Sequence, residues 1–416
     1  MQRQPASSLD LFTDSVRLMG DATMIAVMEF DRRLDMRRLF EAASLCIDVF
    51  PILGSRLVRG QGAAYWDLPD RQGDDEIFSV NFIEDRDYRP HVPMAVDPYS
   101  SSQSKIRLLR TPDRDVIVIN MAHAAADGCG LMVLADTLLN AYLDPSSFKR
   151  SGSGLPVRDT LWTADLVDGK DVSGEGMDAD TSMWPAICGR SREPSSYHRA
   201  VIIPEEVQRI KESIHTLGGT VNDALLAAHF LSLSEMTGYH GVHHLSFPVN
   251  LRQHLADDSR IMANQAANIS FPIQRVPGDS NSANMAKVVK ETKRLKSSLI
   301  GIREQVAFDR FSDAEGKAVH QMVQEMVRRQ EGGLANIFIS NPGSIVLPTV
   351  PGLRDAYVCY PGSLMPSTCF VISTFRGTMS VTMGYQNGDE PKLATRKALE
   401  GFVKCLPVDS SKVKYL

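Results

Sequence analysis

Residues 115–121, Asp-Val-Ile-Val-Ile-Asn-Met, form a nearly unbroken apolar run. A strand carries such a run when both of its faces are covered. Just beyond it, Leu131, Leu134, Ala135, Leu138, Leu139 and Tyr142 recur at helical spacing and mark one apolar helix face. Residues 123–130 therefore lie between a buried strand and an amphipathic helix. Strand and helix in this order call for an α/β (α+β) architecture in which sheets and helices share a core.

The same alternation runs through the chain. Residues 24–30 read as a strand, and Asp35 offers an N-cap for a helix carrying Met36, Leu39, Ala43, Cys46, Ile47 and Phe50, stopped by Pro51. Residues 64–68, 77–83 and 106–109 read as further strands. From about residue 144 to 199 the texture changes to Ser/Gly-rich and acidic stretches, which read as a surface crossover. The expected division is a first half over 1–180, with the crossover from about 144, and a second half over 181–416.

The second half restarts with a strand at 197–203 and a helix opened by Pro204 and closed by Gly218 and Gly219. Thr220 and Asp223 then form a capping-box-like start to an apolar helix reaching about Met236. Strands are expected at 242–249, 269–276, 334–340, 356–360, 370–374 and 378–385, and helices at 283–299, 313–329 and 394–405. Gln386-Asn387-Gly388 reads as a hairpin signal.

Composition narrows the function classes. A chain of 416 residues with 43% hydrophobic and 23% charged residues can bury a large core without staples. Its six cysteines (Cys46, Cys129, Cys188, Cys359, Cys369, Cys405) form no CxxC pair, which argues against a disulfide scaffold and a cysteine-built zinc site. Forty-five basic against 50 acidic residues demote a nucleic-acid binder. There is no signal-peptide core at the start and no apolar run of membrane-spanning length, so a cytoplasmic protein without an integral membrane segment is expected.

Chemistry concentrates at His123-Ala-Ala-Ala-Asp127-Gly128. A histidine between strand and helix can project into a cleft, and its ordinary pKa near 6.5 suits a general base. A carboxylate four residues on can orient the ring or brace the loop by pairing elsewhere. Gly128 removes a side chain where substrate or backbone passes closely. No serine or cysteine nucleophile with an elbow motif is evident, and nothing nearby would activate Cys129. Direct transfer is the economical reading: His123 deprotonates an acceptor that attacks an activated acyl group.

Residues 106–144, with strand, H-x-x-x-D-G and helix in sequence, resemble the core of the condensation-domain and CoA-dependent acyltransferase superfamily, the chloramphenicol-acetyltransferase-like fold. Residues 24–58 resemble its first strand and helix, and GGTVNDALLAAHFLSLS its second-half helix. FPVNLRQHL, NQAANISFPI and ISNPGSI are similar to later segments of stand-alone members. The resemblance implies two similar sheet-and-helix halves in a V, with the active site in a channel between them. It implies acyl transfer from a thioester to a hydroxyl or amine, as in secondary metabolism. No cofactor would be bound, and acyl-CoA or acyl-phosphopantetheine would be the co-substrate. An acyl carrier protein is an implied partner. The residue before His123 is Ala122, whereas peptide-forming condensation domains carry a doubled histidine. The DFGWG segment of the plant-type branch is missing. No carrier or adenylation segment adjoins, so the chain is expected to act alone or in trans. Carrier-dependent condensation is the alternative within enzymes. A non-catalytic relative that binds a carrier, lipid or partner protein is the alternative outside them.

The resemblance assigns His123 as general base. It makes Asp127 structural, turned away and paired with an arginine, for which Arg252 is the candidate. Asn268, Ser340 and Asn341 are channel-lining candidates able to donate to an oxyanion, although Asn341-Pro342-Gly343 is also a plain turn signal. His240, His243 and His244 invite a metal reading, but a strand start splays the adjacent pair, and no metal is expected. Arg32, Arg33, Arg37 and Arg38 form a basic cluster that either docks a carrier or CoA phosphates or is simply a solvated helix start.

Overall fold

The computed structural model describes residues 2–60, 62–68, 77–100, 102–147, 158–167, 184–189, 195–255, 261–276, 278–296, 299–361 and 367–416. Strand Asp115–Ala122 is buried along its whole length. Ile117, Ile119 and Met121 face one apolar cluster, while Val116 and Val118 face another, so alternate side chains serve opposite cores. The first face is covered by helices Met36–Val49 and Gly128–Leu143. The second packs on Tyr88, Val92, Tyr197 and Tyr357.

This strand is central in a five-stranded sheet ordered Leu353–Cys359, Thr23–Phe30, Asp115–Ala122, Ser104–Arg110, Phe78–Phe82. Its pairs are antiparallel except the last, which is parallel. Leu353–Cys359 comes from late in the chain and zips onto Thr23–Phe30, with Val358 opposite Ala26. A second five-stranded sheet runs Ile337–Ser344, Thr368–Phe375, Thr378–Gln386, Ser195–Ile202, Lys414–Tyr415, and it too has one parallel pair at an edge. Helices Pro204–Thr216, Val221–Thr237 and Asp389–Cys405 cover it. Strands Val242–Asn250 and Ala266–Gln274 form a separate antiparallel ribbon. The fold is thus mixed α/β, with two sheet-and-helix halves.

Several sequence expectations shift. Gln386-Asn387-Gly388 makes no hairpin: Gly388 adopts φ 141° and leads directly into helix Asp389–Cys405, which starts before residue 394. The capping box at Thr220 and Asp223 is present. Helix Lys317–Glu331 starts later than residue 313: Asp313 lies in the preceding loop, where its carboxylate accepts from the backbone N–H of Lys317 and Ala318, and Gly316 is the N-cap. Helices Ser8–Ser15 and Ile302–Phe311 were not anticipated. The end of the helix expected at 283–299 falls partly outside the described residues; Asn281–Lys296 is helical.

Two arginines of the basic cluster brace the fold. Arg33 pairs with Asp115, and Arg38 donates to the carbonyls of Tyr142 and Leu143, closing the C-terminus of helix Gly128–Leu143. Arg37 is exposed and pairs with Glu41 one turn on. All six cysteines are free. No helix among the described residues is long and apolar enough to cross a membrane.

Candidate active site

Strand Asp115–Ala122 ends where the chain must turn into helix Gly128–Leu143. The turn closes with Ala125 N–H donating to the Ala122 carbonyl at 2.9 Å. His123 sits at the head of this turn, its N–H bound to the Ala22 carbonyl at 2.9 Å. Asp127 is the helix N-cap and accepts from Gly130 N–H at 2.9 Å. Its second oxygen accepts from Arg252 Nη1 at 2.8 Å and from Gln265 N–H at 2.8 Å. The carboxylate is therefore committed to the cap and to the second half of the chain. Arg252 also donates to the carbonyls of Ile261 and Ala263, which pins the segment beside the histidine turn.

The electrostatics follow from burial and these partners. Burial alone would raise the Asp127 carboxyl, but the Arg252 guanidinium and the Gly130 and Gln265 N–H groups outweigh it and hold the acid below its ordinary value. Burial pushes the His123 imidazole down, against the opposing pull of the Asp127 charge and nearby hydrogen bonds. His123 is therefore neutral at pH 7, the form that can accept a proton. Burial pushes the Cys129 thiol up to about 12, so it is no nucleophile at neutral pH.

A second set of residues grips the turn from behind, and sequence reasoning missed all of it. Asn264 Nδ2 lies 3.0 Å from the carbonyls of both His123 and Ala124. Arg158 donates to the Ala125 carbonyl at 2.7 Å and to the Met262 carbonyl at 2.9 Å. Asp10, on helix Ser8–Ser15, binds Arg158, Asn264 and the indole N–H of Trp66. Arg158 falls in the stretch expected to be a surface crossover, yet it is fully buried. The one available signal was Ser7-Ser-Leu-Asp10, a capping-box pattern near the start, and that box does form.

His123 opens onto a cavity of about 240 Å³. Both halves of the chain line it: Met24 and Gly128 from one, Pro248, Asn268, Phe338 and Val371 from the other. Ser340 lines it as well, and its hydroxyl has no hydrogen-bond partner among the described residues. Asn341 also faces it, but its side-chain oxygen accepts from Gly343 N–H at 3.0 Å and its amide donates to Asn222 at 3.3 Å, so turn chemistry occupies it. Asn268 stands opposite Pro248 in the ribbon and projects to the same space. Gly128 is on the wall, but a Cβ there would meet only Pro342 Cβ at 3.5 Å, an ordinary contact. The crowded position is Gly130, where a Cβ would fall 2.7 Å from Ala126 Cβ.

The HGVHH histidines lie elsewhere and diverge. His243 is buried against Trp184, Phe230 and Tyr239, while His244 points to the other face of the strand. Among the described residues, no three His, Cys, Asp or Glu side chains gather as a metal-ligand set.

No protein-family model matches the chain, and no curated protein matches it in sequence. Solved structures do. Polyketide synthase associated protein 5 from Mycobacterium tuberculosis superposes with a TM-score of 0.66 at 14% identity, over 96% of this chain and 98% of its own. Trichothecene 15-O-acetyltransferase from Fusarium sporotrichioides gives 0.70 at 13% identity, over 97% and 94%. The first condensation domain of the calcium-dependent antibiotic synthetase gives 0.65 at 13% identity, over 100% and 99%. End-to-end agreement with condensation domains and an acetyltransferase identifies the fold: the chain has the condensation-domain and CoA-dependent acyltransferase fold, of the chloramphenicol-acetyltransferase-like type.

Proposed function

We propose that the protein is an acyltransferase that moves an acyl group from a thioester to a hydroxyl or amine acceptor, with His123 as general base. The observation that carries this reading is a neutral, half-buried imidazole on the wall of a cavity shared by both halves, on a turn gripped from two sides. In the mechanism, His123 takes the acceptor proton as the acceptor oxygen or nitrogen attacks the thioester carbonyl. The new C–O or C–N bond forms, and the oxyanion is met by donors on the wall, for which Ser340 and Asn268 are the candidates. Collapse breaks the C–S bond, and protonated His123 returns the proton to the thiolate, releasing a free thiol.

The donor is an acyl-CoA or an acyl-phosphopantetheine on a carrier protein. Neighbours named as parts of nonribosomal peptide synthetases or as a polyketide synthase associated protein support the carrier-borne form. The test is free-thiol release from acyl-CoAs of graded length with pooled alcohols and amines, repeated on His123→Ala. Acceptor-dependent release that disappears in the variant supports the reading. Release unchanged in His123→Ala overturns the mechanism. Release from no CoA donor, followed by none from a carrier-bound donor, favours a non-catalytic binding protein.

A further inference from the structure

The cavity has a one-sided chemistry that narrows what it can hold. Only two described lining residues, His123 and Asp127, bear groups that commonly charge near neutral pH. Burial keeps His123 neutral, and Asp127 is already matched by Arg252 at 2.8 Å. The other polar groups on the wall are amides, hydroxyls and protonated thiols. Helix Ser8–Ser15 and the turn Val16–Met19 lay Leu9, Phe12, Val16 and Met19 along one side, and Met24 and Met326 continue the apolar surface. A carboxylate or ammonium entering this space would give up its water and find no free counter-charge among these groups. An uncharged, apolar group gains from entry, and the methionines can adapt to its shape.

The N-terminal helix also closes one end. Leu9, Phe12 and Asn268 line the cavity on one side and, on the other, a smaller void bounded by Ala267, Glu304, Gln305 and Phe308. Phe12 is held in place by an edge-on contact with Phe308, ring centres 5.7 Å apart. Phe12 thus belongs to the walls of both spaces, and trimming its ring is expected to join them.

We infer that the cavity takes an uncharged, extended apolar arm of a substrate, and that Phe12 sets the length of that arm. That the arm belongs to an acyl donor or to an acceptor rests on the proposed acyl transfer; its binding does not. Calorimetric titration with 1-octanol, octanoate and octylammonium compares one chain carrying three headgroups. The alcohol is expected to bind at least ten-fold more tightly than either ion, and equal or tighter binding of an ion, or no binding of the alcohol, overturns the inference. Phe12→Ala is expected to move the preferred alcohol toward a longer chain, with Phe12→Leu giving a smaller move if the alanine variant does not fold. An unchanged length preference in a folded Phe12 variant overturns the role of Phe12. Thiol release then locates the arm: a shifted optimum in the acyl-CoA series places it on the donor, and a shifted optimum in the alcohol series places it on the acceptor. Absence of thiol release in the wild type would count against acyl transfer and leave the binding comparison standing.

Discussion

Arg158 and Asp10, far apart in the chain, form an ion pair at 3.0 Å in which the two side chains are 1% and 0% exposed. Charges this deep persist only when geometry and extra hydrogen bonds compensate their lost hydration. Here Trp66, Asn264 and the carbonyls of Ala125 and Met262 complete the shell. The pair ties helix Ser8–Ser15 to the back of the histidine turn.

Removing one partner should therefore be costly. Arg158→Ala is expected to destabilise the protein by about 3–5 kcal/mol, because it strands the Asp10 carboxylate. Arg158→Lys keeps the charge but loses the forked donors and should fall between the two. Urea unfolding measures the loss. A change below about 0.5 kcal/mol in Arg158→Ala would show that the pair is solvated in solution.

The His123 ring gives a pH signature. Its pKa is lowered, chiefly by burial, and only the neutral ring accepts a proton. Under the proposed mechanism, kcat/KM should rise with pH and reach its plateau through a limb centred below 6.5. His123→Ala should lose about 10²–10⁴-fold in kcat. A limb centred above 6.5 would contradict the neutral, half-buried imidazole.

A second pH effect concerns stability. His229, between Trp184 and Phe370, is pushed down to about 3 by burial, and His243 to about 4 by burial above all. Unfolded histidines titrate near 6.5. From pH 6.5 downward the unfolded chain takes up protons that the folded chain refuses. This contribution to stability is complete above 6.5 and falls as the pH drops toward 4. The melting temperature should decline between pH 6.5 and 5, above the range of ordinary carboxylates. His229→Phe should flatten that slope, and an identical slope in the variant would sink the assignment.

The two glycines after His123 should behave differently. Gly130→Ala sets its methyl 2.7 Å from Ala126 Cβ, inside the turn between His123 and Asp127. We expect a cost of about 1–3 kcal/mol and at least a ten-fold fall in turnover. Gly128→Ala meets only ordinary contact and should stay within about 0.5 kcal/mol. Activity assays with thermal melts on both variants separate the positions, and the reverse ranking would refute it.

What the sequence disclosed was mainly local. The apolar run at 115–121 announced a doubly covered strand because burial on both faces leaves no polar alternation. Thr220 and Asp223 announced a helix start because capping is settled within four residues. The Asp127–Arg252 pairing came from family resemblance, and its geometry is a contact between distant segments. Asp10, Arg158 and Asn264 were illegible for the same reason: each looks like a surface residue until the chain brings them together. Asn387-Gly388 misled because the backbone freedom of glycine serves a helix entry as readily as a two-residue turn.

Strand Leu353–Cys359 returns to pair with Thr23–Phe30, so the first sheet is finished only by the last quarter of the chain. A ribosome that has made only the first half holds a sheet with an open edge along Thr23–Phe30. Unpaired edges of that kind invite pairing with another copy. A gene cut between the halves would thus yield two aggregation-prone pieces, and evolution can exchange halves with a relative only if the returning strand comes along.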